Sequence, residues 1–326
     1  MPAHPPYRRS HMSHQLAHIA LTCLTTISAF ACADRGEARD AGTEGRATSA
    51  DSVDWKAIDA IIGRPNVTQP SDVHRFNFPR SDLRVTAAGV SVTPALALGG
   101  WVAMKAMGSD VVAMGDLVLT EDELAPVIAR LQQGGIEQTA IHHHLLRESP
   151  RVYYVHVHAH GEARRVAQAI QSAVALTKIP APSTPSSSPS ASAFDLDTAA
   201  LAKTLGYSGR VNGGVYQVSV PRSESIHDGD FEVPPSMGLG TAINFQPTGG
   251  GKVAITGDFV MLGEEVNPVI KALTSGGVDV TSLHNHMLSE TPRLFFMHFW
   301  ANDDAMKLAR TLRAALALTK SKLPAS

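Results

Sequence analysis

The sequence repeats itself at one constant spacing, and any fold proposed for it must be built twice. Gly115-Asp116 returns as Gly257-Asp258, Pro126 as Pro268, Gly134-Gly135 as Gly276-Gly277, and Pro150-Arg151 as Pro292-Arg293. Ala175-Leu176-Thr177-Lys178 returns as Ala317-Leu318-Thr319-Lys320, and upstream Pro79-Arg80-Ser81 as Pro221-Arg222-Ser223. Every pair lies 142 positions apart, so no gap is needed from Gly115 to Lys178. Across residues 134–151, 9 of 18 positions are identical to the partner copy, which chance does not produce. The repeat therefore marks a duplicated structural unit.

Each copy reads as the same series of elements. Residues 111–119 are rich in β-branched side chains and form a strand ending at Thr120, which has a capping-box glutamate, Glu123, three residues on. The helix that follows extends to about residue 133 and stops at Gly134-Gly135. Pro126 sits in its early turns and predicts a loose or separate first turn. Strands follow over 136–144 and 152–160, joined by a loop through Pro150. A last helix over 162–178 places Val166, Ile170 and Val174 on one face; Leu308, Leu312 and Leu316 match them in copy two. The expected fold class is α+β: two tandem copies of a β-α-β-β-α-containing module, with a mainly antiparallel sheet and helices packed on one face.

The chain of 326 residues gives each copy the length to bury its own core. Its hydrophobic content of 44% and charged content of 18% describe a folded body. Before the repeats, Arg8 and Arg9 precede an apolar stretch over 16–31 that is short for a membrane span and ends in small residues, as signal peptides do. Met12 is an alternative start. Ala31-Cys32 fits a lipoprotein cleavage site, although Ala29 stands where leucine is usual; Ala29-Phe30-Ala31 equally fits ordinary signal peptidase, giving a secreted soluble form. The expected layout is a signal peptide over 1–31, a flexible tether over 32–53, repeat module 1 over 54–178, a Pro/Ser linker over 179–193, and repeat module 2 over 194–326. The two cysteines, Cys23 and Cys32, both fall before the modules, so the modules contain no disulfide, cysteine nucleophile or thiolate metal site.

Histidine is the unusual component. Nine of the 15 lie in the second and third strands of the two copies: His142, His143, His144, His156, His158 and His160, then His284, His286 and His298. Positions kept in both copies are His142/His284, His144/His286, Glu148/Glu290 and His156/His298. Strand side chains alternate faces, so His142 and His144 project together with His143 opposite, and Tyr154, His156 and His158 share a face. If residue 140 pairs with residue 156, His142 and His156 are diagonal neighbours; a slip of one residue separates them. Two imidazoles, a third from the next strand and a carboxylate suit a divalent metal, Zn²⁺ first. The candidate ligands are thus His142, His144, Glu148 and His156, and His284, His286, Glu290 and His298. A hydrogen-bonded polar cluster, or a site for a small polar ligand, accounts for the same residues without metal.

Other repeated residues carry weaker signals. Gly115-Asp116 and Gly257-Asp258 read first as a turn or cap, and second as a bulge or strand end whose carboxylate faces the site. Arg80, Arg151, Arg222 and Arg293 suit either an anion clamp or a surface ion pair. The His-x-His-x3-Glu spacing resembles the first cupin motif, but helices between and after the strands do not suit a cupin barrel.

These motifs together resemble the LppY/LpqO-like bacterial lipoproteins, a domain of unknown function present as two copies. The resemblance rests on Pro79-Arg80-Ser81-Asp82-Leu83, Met114-Gly115-Asp116-Leu117-Val118-Leu119 and Leu283-His284-Asn285-His286-Met287-Leu288, followed by Glu290, Pro292-Arg293 and Met297-His298. It covers about residues 55–320. Copy one departs from it with three histidines at 142–144, and copy two with Glu224 in place of aspartate. The resemblance implies an envelope location and duplication, and no activity.

Three functions follow: an envelope-anchored protein binding a divalent metal or small polar ligand, a metal-dependent hydrolase with Glu148 or Glu290 as base, or a structural module with inert histidines. The net charge of −2 gives no reason to expect nucleic acid as partner. Membrane contact is expected only through a lipid at Cys32, and nothing in the sequence signals oligomerisation. No Gly-rich phosphate loop, Gly-x-Ser-x-Gly elbow or His-Glu-x-x-His helix is present.

Overall fold

The computed structural model describes residues 52–182 and 194–322. The candidate signal segment, Cys32, nearly all of the tether and most of the Pro/Ser linker lie outside the described residues. The first module runs α1 (Trp55–Ile62), β1 (Val67–Gln69), β2 (Val73–Pro79), β3 (Val85–Ala87), β4 (Val90–Val92), α2 (Pro94–Ala97), β5 (Gly99–Met107), β6 (Asp110–Thr120), α3 (Glu121–Gln133), β7 (Glu137–His142), β8 (Glu148–Ser149), β9 (Val152–Glu162) and α4 (Ala163–Val174). The second runs α5 (Thr198–Leu205), β10 (Gly209–Asn212), β11 (Val215–Pro221), β12 (His227–Asp228), β13 (Phe231–Glu232), a 3₁₀ turn (Pro235–Met237), β14 (Gly240–Gly249), β15 (Lys252–Leu262), α6 (Gly263–Ser275), β16 (Asp279–His284), β17 (Leu294–Asp304) and α7 (Ala305–Leu316).

Each module is a mixed α+β unit built on a six-stranded sheet with antiparallel neighbours, in the orders β1-β2-β5-β6-β9-β7 and β10-β11-β14-β15-β17-β16. Strand alternation makes two apolar faces. Val111, Ala113, Leu117 and Leu119 of β6 pack on the helices through Val127, Leu131, Val166 and Ile170. Their neighbours Val112 and Met114 point the other way, into a core with Val260, Leu262, Leu294 and Phe296 of the second module. Val118 and Tyr154 similarly join Ala254 and Trp300. The layers are therefore helices, sheet, sheet, helices. Each module has a helix-side core of its own, as its length suggested, but two further cores are shared. The second sheet replaces water on the face that the helices leave bare.

Two local devices recur. The Thr120 N–H donates to Glu123 Oε2 at 2.9 Å, and the Leu262 N–H to Glu265 Oε2 at 2.7 Å, so the first turn keeps its glutamate when the cap residue changes. Helices α3 and α6 run unbroken through Pro126 and Pro268, contrary to the loose first turn expected. The carbonyl that Pro126 leaves without a donor belongs to Asp122, an exposed residue open to water. Arg80 is fully buried and spends its guanidinium internally, on Val118 O at 2.9 Å, Glu123 Oε2 at 2.6 Å and Asp82 Oδ2 at 2.8 Å. Arg222 does the same with Val260 O, Glu265 and Glu224. These arginines are neither anion clamps nor surface pairs. They join strand, helix and loop in each module.

Candidate metal centre

The hairpin register is the one that brings histidines together. Ala140 pairs with His156 and His142 with Tyr154; in the second module Ser282 pairs with His298 and His284 with Phe296. His142 and His156 are thus diagonal neighbours on the face turned towards the other sheet, with their Nε2 atoms 3.0 Å apart. His144 lies just past the end of β7 but stays on that side, stacked on Tyr154. His286 stacks on Phe296 in the same way, with ring centroids 3.8 Å apart. His143 turns away, its Nδ1 lying 3.1 Å from Glu148 Oε1 and 2.7 Å from Val152 O.

Because the two sheets face each other, the clusters expected separately in each copy form one. The His142 and His284 rings stack with centroids 3.9 Å apart, those of His144 and His298 are 3.6 Å apart, and those of His156 and His286 are 4.0 Å apart. Six imidazoles from two modules meet between the sheets.

Two carboxylates join them, and they are not the glutamates expected from the sequence. Asp116 lies on β6 directly opposite His156, and Asp258 on β15 directly opposite His298. Asp116 Oδ2 is 3.4 Å from His144 Nε2, and Asp258 Oδ2 is 3.1 Å from His286 Nε2. The preceding glycines let the strands close up. A Cβ on Gly115 would stand 2.5 Å from Trp101 O, and one on Gly257 would collide with Ala242 O. The Gly-Asp pairs therefore sit in mid-strand, not at a turn or cap. The available signal was a carboxylate in the apolar runs of β6 and β15, kept in both copies.

Glu148 and Glu290 serve the loop instead. Glu148 Oε1 accepts the Val152 N–H at 3.2 Å, and Glu290 Oε1 accepts the Leu294 N–H at 2.9 Å, each closing the turn into the returning strand. Neither joins a group able to hold a metal among the described residues. His158 pairs with Asp228 at 2.8 Å, and His160 is exposed. Of the other arginines, Arg293 reaches Glu290 at 3.2 Å and Arg151 is exposed.

Four groups of three donors lie close enough to hold an ion: Asp116, His144 and His156; Asp258, His284 and His286; His142, His144 and His298; and His142, His156 and His284. Two ligand atoms about 2.1 Å from a shared ion stand roughly 3.0–3.4 Å apart, and the closest pairs here already match. Asp116 Oδ1, His144 Nε2, His156 Nδ1, Asp258 Oδ1, both ring nitrogens of His284 and His298 Nε2 are buried without a hydrogen-bond partner. A folded chain rarely leaves so many buried polar atoms bare in one place, because each costs about 1–3 kcal/mol. The donor set of imidazole and carboxylate fits Zn²⁺ or another divalent first-row ion.

The electrostatics agree with neutral imidazoles. Burial, then His298, pushes His142 down to about 3. Burial likewise carries His144, His156, His284 and His298 below the ordinary histidine value, with neighbouring histidines adding to the shift. Asp116 is raised by burial and by Asp258 across the gap. Burial also opposes ionisation of Asp258, but His298 and His286 outweigh it and hold its pKa below the usual value.

The fold and cluster define a tandem protein whose duplicated sheets enclose a joint histidine–aspartate centre. The chain belongs to the family described as Domain of Unknown Function (DUF1259), whose model matches it twice, over residues 56–176 and 199–318. No curated protein matches the chain. Among solved structures, a trimeric bacterial microcompartment shell protein, PduB, is 12% identical over 78% of this chain and 91% of its own, with a TM-score of 0.20. EtuB from Clostridium kluyveri is 9% identical over 77% of this chain and 88% of its own, with a TM-score of 0.18. At these TM-scores neither carries an argument about fold or function.

Proposed function

We propose that this chain is a metal-binding protein of the bacterial envelope that holds divalent transition metal, Zn²⁺ first, between its two modules. The observation that carries the reading is the set of buried, unpartnered nitrogen and oxygen atoms contributed by both modules. Binding is favoured over hydrolysis. Glu148 and Glu290, the bases expected of a hydrolase, each accept a backbone N–H in the hairpin loop and stand outside the groups of donors able to hold an ion. The envelope location rests on Arg8, Arg9, the apolar stretch over 16–31 and Ala31-Cys32, and on the resemblance to LppY/LpqO-like lipoproteins.

Elemental analysis of the tag-free body, purified without metal-affinity resin, tests the metal. Stoichiometric metal that is reduced in a His284→Ala/His286→Ala variant is expected. No metal after incubation with Zn²⁺, Mn²⁺, Cu²⁺ and Fe²⁺ would sink the reading. Membrane fractionation tests the anchor: Cys32→Ala should release the protein, and an unchanged distribution would refute lipidation there.

A further inference from the structure

The donors outnumber the needs of one ion. Six histidines and two aspartates converge, whereas a first-row divalent ion takes about four to six ligands. Two of the four possible groups lie each within one module and share no residue: Asp116, His144 and His156 in the first, and Asp258, His284 and His286 in the second. Each already combines one carboxylate with two imidazoles.

The remaining two histidines are crossed over. His298, from the second module, groups with His144 of the first, their ring centroids 3.6 Å apart. His142, from the first module, groups with His156 of its own module, Nε2 to Nε2 at 3.0 Å, and with His284 of the second, their ring centroids 3.9 Å apart. Both have Nδ1 on a backbone carbonyl: His298 on Gly257 O at 2.6 Å, and His142 on His143 O at 3.2 Å. A proton on Nδ1 then leaves Nε2 to face the cluster, the usual arrangement of a metal-ligating histidine: His298 Nε2 has no partner, and His142 Nε2 faces His156 Nε2.

We infer that the centre takes two divalent ions, each held by three donors from one module and one exchanged histidine from the other. The first site is Asp116, His144, His156 and His298; the second is Asp258, His284, His286 and His142. Metal loading and docking of the modules are then coupled, since neither site is complete within a single repeat. A ligand that binds only the docked state stabilises docking by mass action. This inference rests on the metal reading above, and its test separates the two.

Metal-free full-length protein is titrated with Co²⁺, followed by visible absorption and by elemental analysis after desalting. Two equivalents per chain are expected. In the Cu²⁺-loaded wild type, spin coupling between ions in adjacent sites should broaden or remove the isolated Cu²⁺ signal. One equivalent with an isolated-ion spectrum overturns the two-ion inference and leaves the metal reading standing; none overturns both. Asp116→Asn and Asp258→Asn should each lose one of the two equivalents. His298→Ala, though in the second module, should weaken the site containing Asp116 at least tenfold, so combining it with Asp116→Asn should still leave one equivalent. If the double variant retains none while circular dichroism shows it folded, the crossed assignment is wrong. The wild-type stoichiometry and spectrum decide the two-ion question even if a variant fails to fold.

Discussion

Acidifying the metal-free protein should unfold it over a window where most proteins change little. The buried histidines His142, His144, His156, His284 and His298 are all held below the ordinary value of 6.5, burial being the first cause. His74, outside the cluster, is lowered by burial as well. As pH falls below 6.5, each takes up its proton in the unfolded chain before it does so in the folded one. The unfolded state then binds more protons, and stability falls with pH. For His142, with a folded value of about 3, the window runs from 6.5 down to about 3. At pH 5 its contribution is a loss of about 2 kcal/mol, from about 1.4 kcal/mol per pH unit. Asp116 works in the opposite sense. Its folded pKa is raised by burial and by Asp258, so the folded state gains a proton first. Glu148, also raised by burial, opposes in the same way. The depressed carboxylates Asp82, Glu123 and Glu224 keep their charge throughout, because their losses begin only near the ordinary carboxylate range. The net expectation is an uptake of protons on unfolding below pH 6.5, because the lowered histidines outnumber the raised carboxylates. Urea titrations of chelator-treated protein from pH 7.5 to 5 measure the slope directly, provided unfolding is two-state. A free energy of unfolding that is flat or rises on acidification would refute the assignment of neutral, buried imidazoles.

Other changes separate the residues by role. Glu148→Gln should leave metal content unchanged by elemental analysis, because its carboxylate accepts a backbone N–H outside the cluster; loss of metal would restore it as a ligand. Arg80→Met should cost about 3–5 kcal/mol in urea unfolding, since Glu123 and Val118 O lose a buried partner. Gly115→Ala forces a Cβ to within 2.5 Å of Trp101 O, and should cost about 1–3 kcal/mol while moving Asp116 and weakening metal retention. Wild-type melting temperature and metal content there would mean that β5 yields freely.

The duplication, the strand-helix order and the stop at Gly134-Gly135 were readable because they depend on local chemistry: periodicity, capping and glycine signals. The shared face of His142 and His144 was readable for the same reason, from period-two alternation. Spacing places Glu148 near a histidine pair without saying where it points; the structure turns its Oε1 to the Val152 N–H. Asp116 reads as a site carboxylate only second to a turn or cap, because glycine before aspartate usually marks a turn, while here the glycine admits the neighbouring strand. That distinction needs the neighbouring strand in place.

The sequence alone thus determined one module, made twice, each copy with a histidine pair on one strand face. Only the tertiary structure decided that these faces oppose one another. Hairpin register brought His156 beside His142, strand pairing set Asp116 opposite His156, and packing of the two bare sheet faces joined both sets. The reason is physical. Each sheet had one face without helices, and burying the two against each other removed both from water while enclosing donors that neither copy could gather alone.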